Sequence, residues 1–160
     1  MGSETIDPDR ILESDLLRWL IVCGEKNKTL FELAALNLTP ASFRIKSAEK
    51  IFVQIMQNGK DGKRTFDLLS LAAEIDEEEL GSFLSEILSR KVNREKAESL
   101  MTETVLRMKE RNWMLERESI RLKIQSGTAN DDEVIELVKH FDELKGMAPK
   151  VVVPEVKISK

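Results

Sequence analysis

Hydrophobic residues recur every three or four positions along most of this chain, which is the spacing of one face of an α-helix. The first such segment starts at Asp7, which can cap a helix whose first residue is Pro8, and Gly24 ends it. Alternation typical of a strand occurs only in the short stretch 151–156, which contains a proline and is too short to build a sheet. The pattern therefore predicts an all-α fold, with that stretch extended or disordered.

Turn and capping residues divide the chain into a bundle of about six helices, followed by a long helix and a C-terminal helical hairpin. Thr29 and Glu32 have the spacing of a capping box, and Thr39-Pro40 predicts a short helical turn. Further helices are expected from Ser47 to Asn58-Gly59, over 66–73, after the capping pair Asp76 and Glu79, and after Asn93. In the helix after Asp76, the inward positions are Leu80, Phe83, Leu84, Ile87 and Leu88.

The segment 93–125 contains neither Gly nor Pro, and as one helix it would extend roughly 50 Å. Up to Met108 its apolar residues form one stripe, which predicts packing on the preceding bundle. From Trp113 onward the apolar residues occupy two faces of the helix. This end of the helix therefore has to be covered by two neighbours, of which the second could be a different chain. One partner is a final helix, Asp131–Lys145, whose expected inward residues are Val134, Leu137, Val138, Phe141 and Leu144. We therefore predict a bundle over 1–110, a hairpin over 111–146 and a flexible tail over 147–160.

Composition limits the classes of function. The 160 residues have a net charge of −4, which argues against more than slight direct binding of nucleic acid. Acidic residues dominate 74–86 and basic residues dominate 90–125; this pattern fits either solvated helix faces or a basic groove for an acidic peptide. Cys23 is the single cysteine, so no internal disulfide forms, and we expect it to be buried. With no long apolar stretch or signal peptide, we expect a soluble, cytoplasmic protein without membrane contact.

The residues that catalysis commonly requires are scarce. His140 is the single histidine, and no phosphate-binding glycine loop or nucleophile-elbow motif occurs. The acidic run at 77–79 falls in the first turn of a helix, where carboxylates complement the helix dipole. We therefore predict no catalytic, metal-binding or cofactor-binding residues and no enzymatic activity in this segment.

Four fragments, in this order, resemble the C-terminal helicase-binding domain of bacterial DNA primase. Residues 12–21 (LESDLLRWLI) are similar to the opening helix of that family, and Phe43 with 48–52 (AEKIF) is similar to its next segment. Residues 121–125, a short polar break and 133–144 are similar to its terminal helical hairpin. The resemblance covers about 10–146 and rests on the pattern and order of the fragments together.

This resemblance implies a non-catalytic domain whose hairpin docks on the N-terminal domains of the replicative DNA helicase and recruits primer synthesis to the replication fork. The parent would be a bacterial DNA primase, a DNA-directed RNA polymerase, whose zinc-binding and catalytic domains are not in this chain. The resemblance further implies that a basic pocket near the first helix receives the acidic tail of single-stranded-DNA-binding protein, with Arg10 and Arg18 as the candidate residues. We expect the domain alone to be a monomer.

The candidate helicase-binding residues are apolar positions of the hairpin, Ile120, Ile124 and Ile135. Ile120 and Ile135 are the better candidates, because periodicity turns other apolar residues of the hairpin, Val134, Val138 and Phe141, toward the partner helix. An alternative is the N-terminal oligomerisation and primase-interaction domain of a replicative helicase, since 38–43 (LTPASF) is a fragment of the kind that such domains also contain. An unrelated helical adaptor, or an enzyme with an unrecognised site, is a third possibility.

Overall fold

The computed structural model describes residues 7–24, 27–60 and 78–154, and within these residues the protein is all-α, as predicted. The described α-helices are α1 Pro8–Arg18, α2 Lys28–Asn37, α3 Lys46–Lys60, α4 Glu78–Leu88, α5 Ala97–Gln125 and α6 Asp131–Lys145. A π-helical turn, Trp19–Cys23, continues α1, and 3-10 turns at Pro40–Ser42 and Arg94–Lys96 precede α3 and α5. Among the described helices, none is both long and apolar enough to cross a membrane. The helix predicted over 66–73 and its neighbour Asp76 lie outside the described residues.

Side-chain caps determine several helix ends. Asp7 accepts a hydrogen bond from the backbone N–H of Asp9 at 3.0 Å, which confirms the predicted start of α1. The predicted capping box at Thr29 is wrong: Asn27 is the cap, and it accepts from the Thr29 N–H at 3.1 Å. Asn93 caps the 3-10 turn that leads into α5 and not the α-helix itself. An asparagine is the cap in both cases: Asn27 lies two residues before the predicted Thr29, and Asn93 is the predicted residue, although the first turn after it is 3-10 and not α-helical.

Contacts between residues divide the described chain into two compact units, one formed up to Val105 and from Val151 onward, the other formed by Leu106–Lys150. In the first unit, α1 packs against α3 and α4, and α3 packs against α4. Phe43 and Phe52 meet with ring centroids 4.7 Å apart, a favourable tilted geometry. Leu88, predicted to point inward, is exposed at the end of α4. The apolar core of this unit includes Leu16, Leu17, Leu20, Leu30, Ile51, Phe52, Ile55, Phe83, Ile87, Met101 and Val105.

Helix α1 also buries a carboxylate in this core. The side chain of Glu13 is completely buried, and its oxygens accept hydrogen bonds from the backbone N–H groups of Arg44 and Ile45 at 3.0–3.1 Å. These N–H groups lie just before α3, where the helix dipole also favours a negative charge. Glu13 therefore fixes the start of α3 against α1.

The second unit is a hairpin formed by the C-terminal part of α5 and by α6. Toward the end of α5, Ile120 is buried, with 4% of its surface exposed. The half-buried apolar side chains beside it are Trp113, Ile124, Val134, Leu137, Phe141 and Leu144. Val138 was predicted to face the partner helix, but it is 43% exposed because it lies about 100° around α6 from Leu137.

We expect Glu13→Ala to lower the free energy of unfolding by about 1–3 kcal/mol, because it leaves the partly buried N–H groups of Arg44 and Ile45 without the acceptor that Glu13 provides. Urea unfolding followed by circular dichroism measures the change. Glu103→Ala, which alters an exposed carboxylate of α5, is the control and should change stability by less than about 0.5 kcal/mol. Equal effects of the two substitutions would contradict a structural role for Glu13.

Candidate functional site

The described residues do not assemble a group of three or more His, Cys, Asp or Glu side chains that could hold a metal ion. His140 lies on the exposed surface of the hairpin, with its Nε2 3.1 Å from Glu116 Oε1. Cys23 is buried, as predicted, and this burial raises the pKa of its thiol. A buried thiol with a raised pKa is a poor nucleophile. Cys23 is therefore not placed to act as an exposed, activated thiol.

Arg10, one of the two candidate residues for an acidic peptide, is held by α4. Its Nε and Nη2 donate hydrogen bonds to Glu86 Oε2 at 2.9 and 2.6 Å, and its guanidinium lies 4.7 Å from the centre of the Phe83 ring. The hydrogen bond from Arg10 lowers the pKa of the Glu86 carboxyl, and the positive charges of Arg90 and Arg18 act in the same direction. An acidic peptide at Arg10 would therefore compete with Glu86.

Arg18, the second candidate, is buried and points into the fold. Its Nε donates to the backbone carbonyl of Ile87 at 2.6 Å, and its Nη1 donates to Asp15 Oδ1 at 2.5 Å. Ile87 lies in the last turn of α4, which contains no basic residue of its own. Because a cation is favourable at the C-terminal end of a helix, Arg18 supplies the charge that this end lacks. The role of Arg18 in acidic-peptide binding stays a prediction, and its contacts already explain its presence.

The hairpin is held together by a stack that the sequence pattern did not identify. The guanidinium of Arg117 lies 4.6 Å from the centre of the Trp113 ring and 5.4 Å from that of Phe141. The Arg117 Nε is buried without a hydrogen-bond partner, so contact with the two ring faces is what compensates for its desolvation. The Trp113 Nε1 donates to the carbonyl of Leu144 at 2.7 Å. The spacing of Trp113 and Arg117, one helical turn, was the available signal.

The three candidate helicase-binding residues occupy different environments within the hairpin. Ile120 is buried, Ile124 is half-buried, and Ile135 is 53% exposed on α6. Leu122 is similarly exposed, at 54%, on α5. Of the three candidates, Ile135 is therefore the one that a partner protein can reach without opening the hairpin.

Two of the open depressions formed by the described residues lie on the hairpin. The larger, of about 800 Å³, lies along α6 and is bordered by Lys123 of α5; Leu137 and Ala129 contribute apolar surface to it. The smaller, of about 440 Å³, lies on α5 around Leu115, Ser119 and Leu122. Charged residues border both depressions. Apolar surface surrounded by polar residues is the usual composition of a protein-docking surface.

We expect the coupling between Arg10 and Glu86 to depend on pH. Because the folded-state pKa of Glu86 lies below its ordinary value of 4.5, the stabilisation is complete above that value and disappears as the pH falls through the lowered pKa. Since both side chains are partly exposed, a double-mutant cycle with Arg10→Ala and Glu86→Ala should give less than about 1 kcal/mol near neutral pH. The same cycle at about pH 2.5 should give a smaller coupling, because the Glu86 carboxylate is then more protonated.

The exposed pair Lys139 and Glu136, 3.9 Å apart, is the control for this cycle. Its coupling should be close to zero at both pH values, because both side chains are more than half exposed. An Arg10–Glu86 coupling that persists undiminished in acid would contradict the ion-pair explanation.

The geometry of the site therefore gives no sign of a reaction centre in the described residues, and it presents exposed apolar side chains on the hairpin. A comparison of the sequence with models of known protein families finds no matching family, and a comparison with curated proteins finds no matching relative.

Proposed function

We propose that this chain is a protein-docking module and that the outer surface of its hairpin contacts the partner. The observation that supports this most directly is the exposure of Leu122 and Ile135, large apolar side chains on helices that already share an inner contact. Large apolar side chains that stay exposed on a small unit are candidates for an interaction surface.

Helical geometry separates these outer residues from the core of the hairpin. Leu122 is about 200° around α5 from the buried Ile120, and Leu115 is about 220° from it, at 100° per residue. On α6, Ile135 is about 160° from the half-buried Leu137. Each helix of the hairpin therefore has an inner apolar face and an outer one. The outer faces are free to be covered by another protein.

The partner that fits the sequence resemblance is the replicative DNA helicase. In this proposal the chain is the non-catalytic C-terminal domain of a bacterial DNA primase, and its hairpin docks on the N-terminal domains of the helicase. Tethering of this kind gives the attached catalytic domains an effective concentration in the millimolar range. Primer synthesis is thereby recruited to the replication fork. Ile135 lies at the apolar centre of the contact, and Ile120 supports it from inside the hairpin.

We expect Ile135→Asp to weaken binding to the cognate replicative helicase at least about tenfold, because a charge would replace a buried apolar contact at the interface. Isothermal titration calorimetry with the helicase N-terminal domain measures the affinity. Circular dichroism should show the same helix content and an unfolding temperature close to that of the unaltered chain, since Ile135 is exposed.

Two variants of the same unit serve as controls for this experiment. Met147→Asp places the same charge at another exposed apolar position, outside α6, and should leave helicase affinity unchanged. Ile120→Ala should instead lower the free energy of unfolding by about 2–4 kcal/mol, because Ile120 is buried. Unchanged affinity of the Ile135→Asp variant would remove Ile135 from the proposed interface.

We further expect the isolated chain to be monomeric, as a primase docking domain should be. Size-exclusion chromatography with light scattering at about 100 μM measures the mass, using the complete chain. Stable dimers or larger rings would instead favour the alternative, an oligomerising N-terminal domain of a helicase.

A further inference from the structure

The side chain of Asn37 binds the backbone of the chain's own C-terminal segment. Asn37 is the last residue of α2, and Val152 lies in the segment without helix or strand that follows α6. Asn37 Oδ1 accepts a hydrogen bond from the Val152 N–H at 2.7 Å, and Asn37 Nδ2 donates to the Val152 carbonyl at 2.8 Å. Two hydrogen bonds to one residue are what a neighbouring strand makes in an antiparallel pair. The amide of Asn37 therefore takes the place of a strand.

The orientation of this amide is determined by α2. Asn37 Nδ2 also donates to the carbonyl of Leu33, one turn earlier, at 2.7 Å. Turning the amide over would place its oxygen against two carbonyl oxygens, those of Leu33 and Val152, which is unfavourable. The carbonyls in the last turn of a helix need such donors, so the helix end itself holds the side chain in place. Asn37 is thus preorganised to bind a backbone N–H and C=O.

Because both hydrogen bonds go to the backbone of Val152, the contact recognises the backbone conformation of the bound segment and not the side chain at this position. The side chains of Val152 and Val153 are exposed, whereas Pro154 is buried. β-Branched residues favour the extended backbone, and a proline restricts the residue before it to the same region. The matching ligand is therefore an extended peptide with a free backbone N–H at the position of Val152 and an apolar anchor at the position of Pro154.

From these contacts we infer that the C-terminal end of α2 is a binding site for an extended apolar peptide, which residues 151–154 occupy within the same molecule. Occupation within one chain benefits from an effective concentration in the millimolar range, so it competes strongly with any free peptide. Main-chain hydrogen bonds supply the binding, as in other cases where a protein adds an extended strand. This inference does not depend on the proposed function, because it concerns neither the hairpin nor the helicase.

The experiment compares the unaltered chain with a full-length Val152→Pro variant. Proline has no N–H to donate to Asn37 Oδ1, so the variant should release its residues 151–154 from the site. The probe is a fluorescent, amidated peptide with the sequence of residues 147–154, and fluorescence anisotropy measures its binding. We expect it to bind the variant at least about tenfold more tightly than the unaltered chain, where the internal segment competes. Equal affinities for the two chains would overturn the inference.

Two N-methylated peptides test the hydrogen bond itself. Methylation of the peptide's Val152 nitrogen should abolish its binding to the Val152→Pro chain, because the methylated nitrogen can no longer donate a hydrogen bond to Asn37. Methylation of the Val153 nitrogen should have little effect, since successive N–H groups of an extended segment point to opposite sides. Equal binding of the two methylated peptides would overturn the inference.

Asn37→Ala tests the receptor side of the contact. Combined with Val152→Pro in the full chain, it should abolish binding of the unmethylated peptide. A second measurement, amide hydrogen exchange in the full chain with Val152 intact, should show that Asn37→Ala removes protection at Val152 while the amides of α1 and α3 keep theirs. Retained binding, or unchanged protection at Val152, would overturn the inference.

Discussion

The charges that α1 buries are the constraint on which the first unit depends. Glu13 accepts hydrogen bonds from the backbone N–H groups that precede α3, and Arg18 donates a hydrogen bond to a carbonyl in the last turn of α4. Each charge lies at the helix end whose dipole favours it, which reduces the cost of removing the charge from water. Apolar packing alone would allow α3 and α4 to slide along α1, since burial is not directional. Hydrogen bonds to particular backbone groups remove that freedom.

This arrangement also explains why the function of Arg18 is difficult to infer from sequence. An arginine beside leucines on a predicted helix is usually solvent-exposed, and the resemblance suggested a pocket for an acidic peptide. Its main partner, the carbonyl of Ile87, is 69 positions away, so no local pattern contains it. Asn37 and Val152 are 115 positions apart and present the same difficulty. Hydrogen bonds to backbone are independent of the partner's side chain, and they therefore leave little trace in the sequence.

Apolar periodicity, by contrast, predicted the helices and most of the core well. Ile51, Phe52, Phe83, Ile87 and Val105 are buried as their spacing requires, because a bundle covers one whole face of each helix. Periodicity was less successful in the hairpin, where Val138 is exposed. With only two helices, the covered strip is narrow, and the bulky side chains of Trp113, Arg117 and Phe141 determine which positions it includes. The apolar pattern therefore identifies which face of each helix is covered, and the shape of the side chains determines which residues at the border of that face are buried.

The narrow core of the hairpin has a consequence for docking. A helix in a bundle has several neighbours, but each helix of this hairpin has one partner within the unit, so its outer apolar residues stay in water. Leu122 and Ile135 cannot turn inward without displacing Ile120 and the Trp113–Arg117 stack, which would expose more apolar surface than it covers. Covering them with another protein has no such cost. The contacts that hold the hairpin together therefore also keep its outer surface available for binding.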